Sequence, residues 1–418
     1  MISQKSKTKQ ILIYSDCDFF AGCENMIANI LNSQLIRKNY LISFIHRKSQ
    51  PYSAELKKRL NKYTDISTLN FPDLALGLFR NKFIYFPKFV NLFFRVFFFI
   101  PLFIYELLIL YIVFKKRKPS ILHLNNGGYP GSFSVRVAAL AGRLANIPRI
   151  IMVVNNLPVP YKNPFRWLDY PLDFFVKNCV DLFITGSEFT HLSLKDTLHL
   201  DPKKVIFIHN GINLRKGTLS LRDKKKKLKL LNFRGTIFGV VALLVERKGH
   251  LILLRAVKDL IRNNHKTNIN FLVLIEGLGP LEKNLKELVK NERLSKYVKF
   301  IGSEEHIVDF MKILDILILP SINSEDFPNV ILEAMALKKP VIASNIAGTK
   351  EQILHNKTGL LVKPADFRDL SKAMQLFIEK KIDLKKMGML GFNRFSSNFT
   401  AEVAVDNYYN LYNFLLQH

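Results

Sequence analysis

The sequence predicts an α/β protein with two doubly wound domains, and three observations support this. Short apolar runs alternate with amphipathic stretches of helical length along almost the whole chain, which is the pattern of strand-helix units around parallel sheets. The alternation stops once, at residues 214–235, where four consecutive lysines and little apolar periodicity indicate a basic linker. The 418 residues are enough for two or three domains. Ligands of such folds bind at the carboxyl ends of the strands, so we expect the two domains to face a cleft.

Each predicted strand is an apolar run of three to six residues. In the first domain, residues 1–213, the runs lie at 11–15, 41–45, 121–124, 150–154, 182–185 and 205–208. In the second domain, residues 236–398, they lie at 238–243, 271–275, 298–301, 316–319, 341–343 and 360–362. The final segment, residues 399–418, contains one predicted helix at 401–416, which we expect to pack back towards the first domain.

One helical stretch departs from the amphipathic pattern. Residues 96–114 are apolar on all faces apart from Glu106, and they contain Pro101. At about 1.5 Å per residue they could just cross a bilayer core, but a crossing would separate strands that should share one sheet. Three interpretations stay open: a buried core helix, a helix inserted into the membrane, and a surface that lies on an anionic membrane beside the basic residues 115–118. We expect the last of these.

Composition excludes several classes of protein. Apolar residues make up 48% of the chain, and 19 glycines and 17 prolines are too few for a collagen-like or low-complexity protein. Three cysteines without a C-x-x-C pair exclude a disulfide framework and disfavour structural zinc. The net charge of +28 indicates a polyanionic partner, such as an anionic membrane, nucleic acid or a phosphorylated small molecule. The first residues lack an apolar run of signal-peptide length, so we expect a cytoplasmic protein.

The most informative segment follows the predicted strand at 316–319. Glu325 lies on a polar loop, Pro328 is suited to begin a helix, and Glu333 then lies inside that helix. Carboxylates accept hydrogen bonds from sugar hydroxyls, and the N-terminus of a helix attracts phosphate. The segment therefore predicts a site for a nucleotide that carries a polyhydroxyl group.

This pair of glutamates, with its flanks, resembles the retaining glycosyltransferases of glycosyltransferase family 4, which have the GT-B fold of two Rossmann-like domains facing a cleft. Further motifs occur in the order of that family. They are NGI at 210–212, GVVALLVERKGH at 239–250, IEGLGPL at 275–281, VKFIG at 298–302, AGTKE at 347–351 and TGLLV at 358–362. The loop FAGCE at 20–24 is similar to the family's G-G-x-E loop.

The resemblance implies a role for each matching residue. Lys248 and Glu325 would be the catalytic pair, with Lys248 on the donor diphosphate and Glu325 on the donor sugar. The remaining donor-binding candidates are Gly22, Arg247, Gly277, Gly302, Ser303, Phe327, Pro328, Asn329, Val330 and Glu333. Among these, Glu333 would bind the ribose, and the base would lie near Gly302 and Ser303.

Two positions depart from the family pattern. Leu243 lies where the family usually has an arginine, so one phosphate-binding cation is missing and the adjacent Arg247 is its candidate replacement. Asn155 lies at the position of a family histidine, on the acceptor side, where it can hydrogen-bond a sugar but cannot transfer a proton. His123, His209 and His250 are expected to be structural or surface residues.

The expected activity is transfer of a hexosyl group, with retention, from a nucleoside diphosphate sugar to an acceptor hydroxyl. The acceptor is expected to be a lipid-linked glycan of bacterial envelope synthesis, such as lipopolysaccharide, and the protein to lie on the inner face of the plasma membrane. We expect no cofactor, no divalent metal and no nucleic acid partner, because no carboxylate cluster and no RNA-binding signature are evident. Alternatives are a nucleotide-sugar-binding protein with weak or no transfer activity and a nucleotide-sugar 2-epimerase of the same fold.

Overall fold

A computed structural model describes residues 9–18, 20, 22–61, 65–71, 88–162, 164–214, 217–263, 270–303, 307–323 and 325–417, with only the backbone described at 88–98, 164 and 165. The chain divides into two compact units. The first comprises Met1–Ile208 and Val405–His418, and the second comprises His209–Ala404. Each unit contains one parallel sheet, of seven and six strands respectively, which confirms the predicted α/β class.

The first unit has the strand order β3-β2-β1-β4-β5-β6-β7. Its strands are β1 Gln10–Ser15, β2 Leu41–Arg47, β3 Asp65–Leu69, β4 Ile121–Asn126, β5 Arg149–Val154, β6 Leu182–Thr185 and β7 Val205–Phe207. Its helices are α1 Gly22–Asn32, α2 Gln34–Asn39, α3 Gln50–Lys57, α4 Lys88–Arg117, α5 Phe133–Leu144, α6 Tyr170–Cys179 and α7 Glu188–Leu198. All predicted strands are present, and β3 is an additional edge strand.

The second unit has the strand order β10-β9-β8-β11-β12-β13. Its strands are β8 Thr236–Val241, β9 Phe271–Glu276, β10 Val298–Gly302, β11 Ile316–Leu319, β12 Val341–Ser344 and β13 Gly359–Val362. Its helices are α8 Leu221–Lys227, α9 His250–Asn263, α10 Glu282–Asn291, α11 Ile307–Ile313, α12 Asn329–Ala336, α13 Thr349–Gln352, α14 Phe367–Ile378 and α15 Leu384–Asn398, followed by α16 Ala401–Gln417. Alternate residues of β11 enter separate apolar clusters, as expected for a sheet covered on both faces.

The apolar stretch at 96–114 lies within the 30-residue helix α4. On one face Glu106, Leu110 and Phe114 are buried, whereas Ile100 and Ile112 are more than 60% exposed on the other. Burial raises the pKa of Glu106 to about 8, so this carboxyl is largely protonated at neutral pH. The helix is therefore neither wholly buried nor polar on its outer face. Within the described ranges, no helix is long and apolar enough to span a bilayer.

The segment predicted as a basic linker packs on the second unit instead, although residues 215 and 216 lie outside the described ranges. Asp309 of α11 accepts hydrogen bonds through Oδ2 from Thr218 N (2.9 Å), Thr218 Oγ1 (2.9 Å) and Leu219 N (3.0 Å). Leu228 and Leu230, which follow α8, are buried in an apolar cluster of that unit. These contacts attach the lysine-rich helix α8 to the domain.

Helix α16 begins in the second unit, and its residues from Val405 onward belong to the first. Within the first unit, the Nδ1 atom of His123 lies 2.7 Å from the hydroxyl of Tyr412, and its ring stacks on Tyr408. Burial lowers the pKa of His123 to about 3, so the imidazole is neutral. This neutral histidine thus fixes the end of α16 to β4.

Replacing Asp309 by alanine should lower the free energy of unfolding by about 2 kcal/mol, because three donors would lose a charged acceptor. Burial raises the pKa of this carboxyl, but the hydrogen bonds from Thr218 and Leu219 lower it more, so its folded-state pKa lies below the usual value. Its contribution is therefore present above about pH 4 and is lost as the pH falls through the folded-state pKa.

Urea denaturation of both proteins at neutral and acidic pH measures this effect. The matched control is Glu287→Ala, which removes an exposed acid of α10 and should change stability by less than about 0.5 kcal/mol. Equal losses in the two variants would contradict the anchoring role of Asp309.

Candidate active site

The centre of the candidate site is an ion pair between Lys248 and Glu325. The Nζ atom of Lys248 contacts Oε1 of Glu325, and Ser321 Oγ donates a hydrogen bond to the same oxygen at 2.8 Å. The Nη1 atom of Arg247 lies 3.5 Å from that oxygen. Burial lowers the pKa of the Lys248 ammonium below its usual value, although Glu325 acts in the opposite direction. One carboxylate oxygen therefore meets two cations and a hydroxyl.

Gly249 explains how these side chains come together. Its φ of +71° lies in the left-handed region, and a Cβ atom added there would lie 1.8 Å from the carbonyl oxygen of Pro320. The N–H of Ile322 also donates to the carbonyl oxygen of Arg247 at 2.8 Å. Only glycine permits this backbone approach. The turn after β8 thus packs directly against the loop after β11, which carries Glu325.

Helix α12 begins four residues after Glu325. Pro328 is its N-cap, one residue before the helical stretch, and Phe327 is buried just before it. Asn329 and Val330 occupy the first turn, whose N–H groups have no intrahelical acceptor in any α-helix. Such a helix start suits a phosphate group. Glu333 lies in the same helix and is half-buried.

His209 supports this loop, a role that the sequence does not reveal. Its ring stacks on Phe327 with centroids 4.7 Å apart and planes 11° apart. Its Nε2 atom lies 3.0 Å from Glu351 Oε2, within the AGTKE motif. Arg394 holds that motif through hydrogen bonds to the carbonyl oxygens of Glu351 (2.6 Å) and Gln352 (2.9 Å). Two segments distant in sequence therefore fix the position of Phe327.

The donor-binding candidates Gly277, Gly302 and Ser303 lie at the ends of β9 and β10. Gly277 has φ +139°, and its N–H donates to the carbonyl oxygen of Gly302 at 2.7 Å. A Cβ atom added to Gly277 would lie 2.0 Å from the carbonyl oxygen of Ala242. Gly302 has φ +83° with no described atom within 4 Å of an added Cβ, and Ser303 is exposed. The structure thus brings these residues to the same sheet edge as Lys248, with open space beside Gly302.

Leu243 lies on the loop between β8 and Lys248, and its side chain is exposed. Its carbonyl oxygen lies 3.0 Å from Nε2 of the buried His250. Burial lowers the pKa of His250, which favours the neutral ring. His250 is therefore a support for this loop in the structure.

Gly22 and Asn155 belong to the first unit. Gly22 is exposed at the start of α1, and Asn155 follows β5. The amide nitrogen of Asn155 donates to Asn125 Oδ1 (2.8 Å) and to the carbonyl oxygen of Asn126 (3.1 Å). These contacts orient the amide, and the Oδ1 atom of Asn155 accepts no hydrogen bond from any residue that the structure describes.

Asp16, which directly follows β1, is a further polar residue that the sequence motifs do not reveal. Its carboxylate accepts hydrogen bonds from Arg47 Nη2 (3.1 Å) and Ser132 Oγ (2.9 Å), and it also contacts Ser134. An acid immediately after the first strand is the only signal that the sequence offers. Among the residues in the described ranges, no cluster of three or more metal-ligating side chains occurs.

Comparisons with known proteins agree with this geometry. A family model described as "Glycosyl transferases group 1" matches residues 222–393, and one described as "Glycosyltransferase Family 4" matches residues 55–216. An Escherichia coli protein named UDP-Gal:alpha-D-GlcNAc-diphosphoundecaprenol alpha-1,3-galactosyltransferase is 27% identical over 316 residues, or 73% of this chain and 78% of its own length. The Staphylococcus aureus glycosyltransferase CapM, of capsular polysaccharide biosynthesis, is 24% identical over 75% of this chain and 81% of its own length.

Solved structures show the same fold. A glycosyltransferase from Rickettsia africae aligns with a TM-score of 0.74 at 19% identity, over 99% of this chain and all of its own. HepE from Anabaena, in complex with UDP, aligns with a TM-score of 0.74 at 16% identity, over 97% of this chain and 99% of its own. At these identities the similarity establishes the fold alone.

The ion pair generates a stability prediction. Lys248→Met should lower the free energy of unfolding by about 3 kcal/mol, because Glu325 would remain buried with only the more distant Arg247 as a cation. Arg247→Met should cost less than about 1 kcal/mol, since Arg247 is partly exposed. Urea denaturation of the two variants provides the comparison. Similar losses would show that Lys248 is not the principal partner of Glu325.

Proposed function

Since the chain belongs to the group 1 glycosyl transferases of glycosyltransferase family 4, we propose that it moves a sugar from a nucleoside diphosphate sugar to an acceptor hydroxyl with retention at the anomeric carbon. Membership in this family makes the protein a glycosyltransferase and argues against a binding protein without transfer activity. The observation that carries the proposal is the contact between Lys248 and Glu325 at the start of a helix. A cation for phosphate and an acceptor for sugar hydroxyls lie side by side there.

The ion pair brings together the two groups that the proposed reaction needs. Negative charge accumulates on the departing diphosphate, so a cation positioned there lowers the barrier more than contacts made equally in the ground state. Lys248 supplies this charge, and Arg247 supports it. When the diphosphate engages Lys248, Oε1 of Glu325 can accept a hydroxyl of the donor sugar. The acceptor attacks on the face from which the diphosphate departs.

The remaining contacts follow from the same placement. Glu333 binds the ribose hydroxyls, and the backbone near Phe327, Asn329 and Val330 binds the sugar and phosphate. The base lies beside Gly302 and Ser303, where no described atom lies within 4 Å of a Cβ added to Gly302. Gly22 contributes a close backbone approach to the donor, and Asn155 offers its Oδ1 atom to the acceptor. We assign neutralisation of the diphosphate charge to Lys248 and Arg247, so we expect that the reaction requires no divalent metal.

The proposed donor is a UDP-sugar, and the proposed acceptor is a lipid-linked glycan of the bacterial envelope. Solved structures of HepE contain UDP or UDP-glucose, and the name of the E. coli relative specifies a diphosphoundecaprenol-linked acceptor. The exposed apolar face of α4, which ends in Lys115, Lys116 and Arg117, suits a membrane surface. We therefore place the protein peripherally on the inner face of the plasma membrane.

The direct test is a panel of UDP-, GDP- and ADP-sugars assayed against lipid-linked acceptors. We expect transfer from a UDP-sugar. When the donor is α-linked, the NMR spectrum of the product should also show an α-anomeric proton signal. Inversion at the anomeric carbon would contradict the retaining mechanism. Interconversion of the donor sugar without an acceptor would instead identify a 2-epimerase.

Binding and rate measurements should distinguish the roles of Glu325 and Glu333. Glu333→Gln should weaken the binding of both UDP and the UDP-sugar by about 1.5–3 kcal/mol, because a charged acceptor of the ribose is lost. Glu325→Gln should reduce turnover more than donor affinity, because its contact to the sugar strengthens in the transition state. Calorimetry and steady-state rates measure these effects, with Glu287→Gln as the exposed control. Unchanged UDP affinity in Glu333→Gln would remove Glu333 from the ribose site.

A further inference from the structure

A second exposed apolar surface lies on the first unit, away from α4 in sequence. It comprises Trp167, Leu168, Tyr170, Phe174 and Phe175, on the 3₁₀ turn at Pro164–Asp169 and on α6, and we call it the aromatic patch. These side chains are 45–56% exposed. Single exposed apolar residues are common, but five large ones within nine positions form a cluster that marks an interaction surface.

The aromatic patch is held on a fixed framework. Asp173 of α6 is buried and accepts hydrogen bonds from Tyr129 OH (3.0 Å) and Arg136 Nη1 (3.1 Å). The Nη2 atom of Arg166 lies 2.6 Å from the same carboxylate. The ring of Tyr161 lies 5.2 Å from that of Trp167. A buried network of charges and rings therefore presents the exposed aromatic residues to solvent.

The aromatic patch belongs to the same layer as the outer face of α4. Phe114 of α4, Val137 of α5 and Val176 of α6 all enter one buried apolar cluster, so the three helices cover the same face of the sheet. Helix α5 contacts both α4 and α6, and its Leu144 is exposed. The three helices thus bury some apolar residues in one common core, and their exposed apolar residues point away from it.

Three lysines give this layer a positive charge. Between residues 99 and 181 the sequence has four acids: Glu106 and Asp173 are buried, while Asp169 and Asp181 pair with arginines. Arg117 of α4 and Arg143 of α5 pair with Asp65 and Asp181. Lys115 and Lys116 of α4 and Lys177 of α6 form no ion pair among the described residues, and the Nζ atom of Lys177 lies 5.5 Å from the centroid of Phe174. The layer thus combines apolar side chains with the positive charge of these lysines.

We propose that the aromatic patch binds the surface of an anionic lipid bilayer, as a second contact beside the outer face of α4. Aromatic rings favour the boundary between headgroups and acyl chains, and lysine and arginine stems extend along it towards anionic headgroups. The proposal rests on the proposed function, since a lipid-linked acceptor presents its reacting group at such a surface. Two contacts on one layer would fix the orientation of the first unit on the membrane.

The single tryptophan of the chain allows a direct test, because all tryptophan emission comes from Trp167. The full-length protein is mixed with vesicles of phosphatidylcholine containing phosphatidylglycerol, or with phosphatidylcholine alone. With the anionic vesicles at low salt, we expect emission to shift to shorter wavelength and to be quenched by lipids brominated near the headgroup. High salt should weaken both effects.

Variants connect the signal to the aromatic patch. Phe174→Ser combined with Phe175→Ser should weaken vesicle binding at least tenfold in flotation, while transfer to a water-soluble acceptor analogue stays unchanged. The matched control is Phe414→Ser, which alters a similarly exposed phenylalanine of α16 and should leave flotation unaffected. Equal loss in both variants would indicate a general effect on folding and would overturn the assignment.

Three further outcomes would overturn the proposal. Vesicle binding without any change in Trp167 emission would show that the aromatic patch faces water, and the proposed function with its α4 contact would stand. Absence of binding to anionic vesicles would reject both membrane contacts, and the donor panel with a soluble acceptor would still test transfer. Concentration-dependent self-association without lipid, lost in the double variant, would identify a protein interface instead.

Discussion

The contact between Lys248 and Glu325 is the interaction on which the second unit's site depends. A carboxylate removed from water must be compensated by charge and hydrogen bonds. Here an ammonium and the hydroxyl of Ser321 provide that compensation, and the backbone approach at Gly249 makes it possible. The same approach fixes the loop that leads into α12. A structural requirement for neutrality has therefore assembled the groups that a charged, hydroxylated ligand needs.

In the first unit, too, polar side chains are compensated by charges and hydrogen bonds. Asp16 is neutralised by Arg47 and held by two serines, and the amide of Asn155 is oriented by Asn125 and Asn126. Most polar groups at this sheet edge are thus used to hold one another in place. Among these groups, the Oδ1 atom of Asn155 accepts no hydrogen bond from the residues that the structure describes. The candidate residues of the two units therefore differ in chemistry, with a paired lysine and glutamate in the second unit and an oriented asparagine amide in the first.

The apolar runs were sufficient to predict the strands of both sheets, because a buried parallel strand is apolar on both faces. They could not predict β3, an edge strand in which Asp65 and Ile66 are exposed. The ordered motifs placed Lys248, Glu325 and Glu333 on the correct loop and helix. They could not reveal the contacts of His209 and Asp16 or the hydrogen bonds of Thr218 and Leu219 to Asp309, because each depends on partners far away in the sequence. Local patterns specify elements, whereas such contacts exist only after folding.

The docking of α16 on β4 makes the polypeptide pass between the two units twice, once at residues 208–209 and again at 404–405. Tyr408 and Tyr412 of α16 are consequently part of the first unit's interior. A chain released from synthesis residue by residue cannot complete that interior until Tyr408 and Tyr412 have emerged to cover His123. The interior of the first unit can therefore be completed only after the second unit has been synthesised.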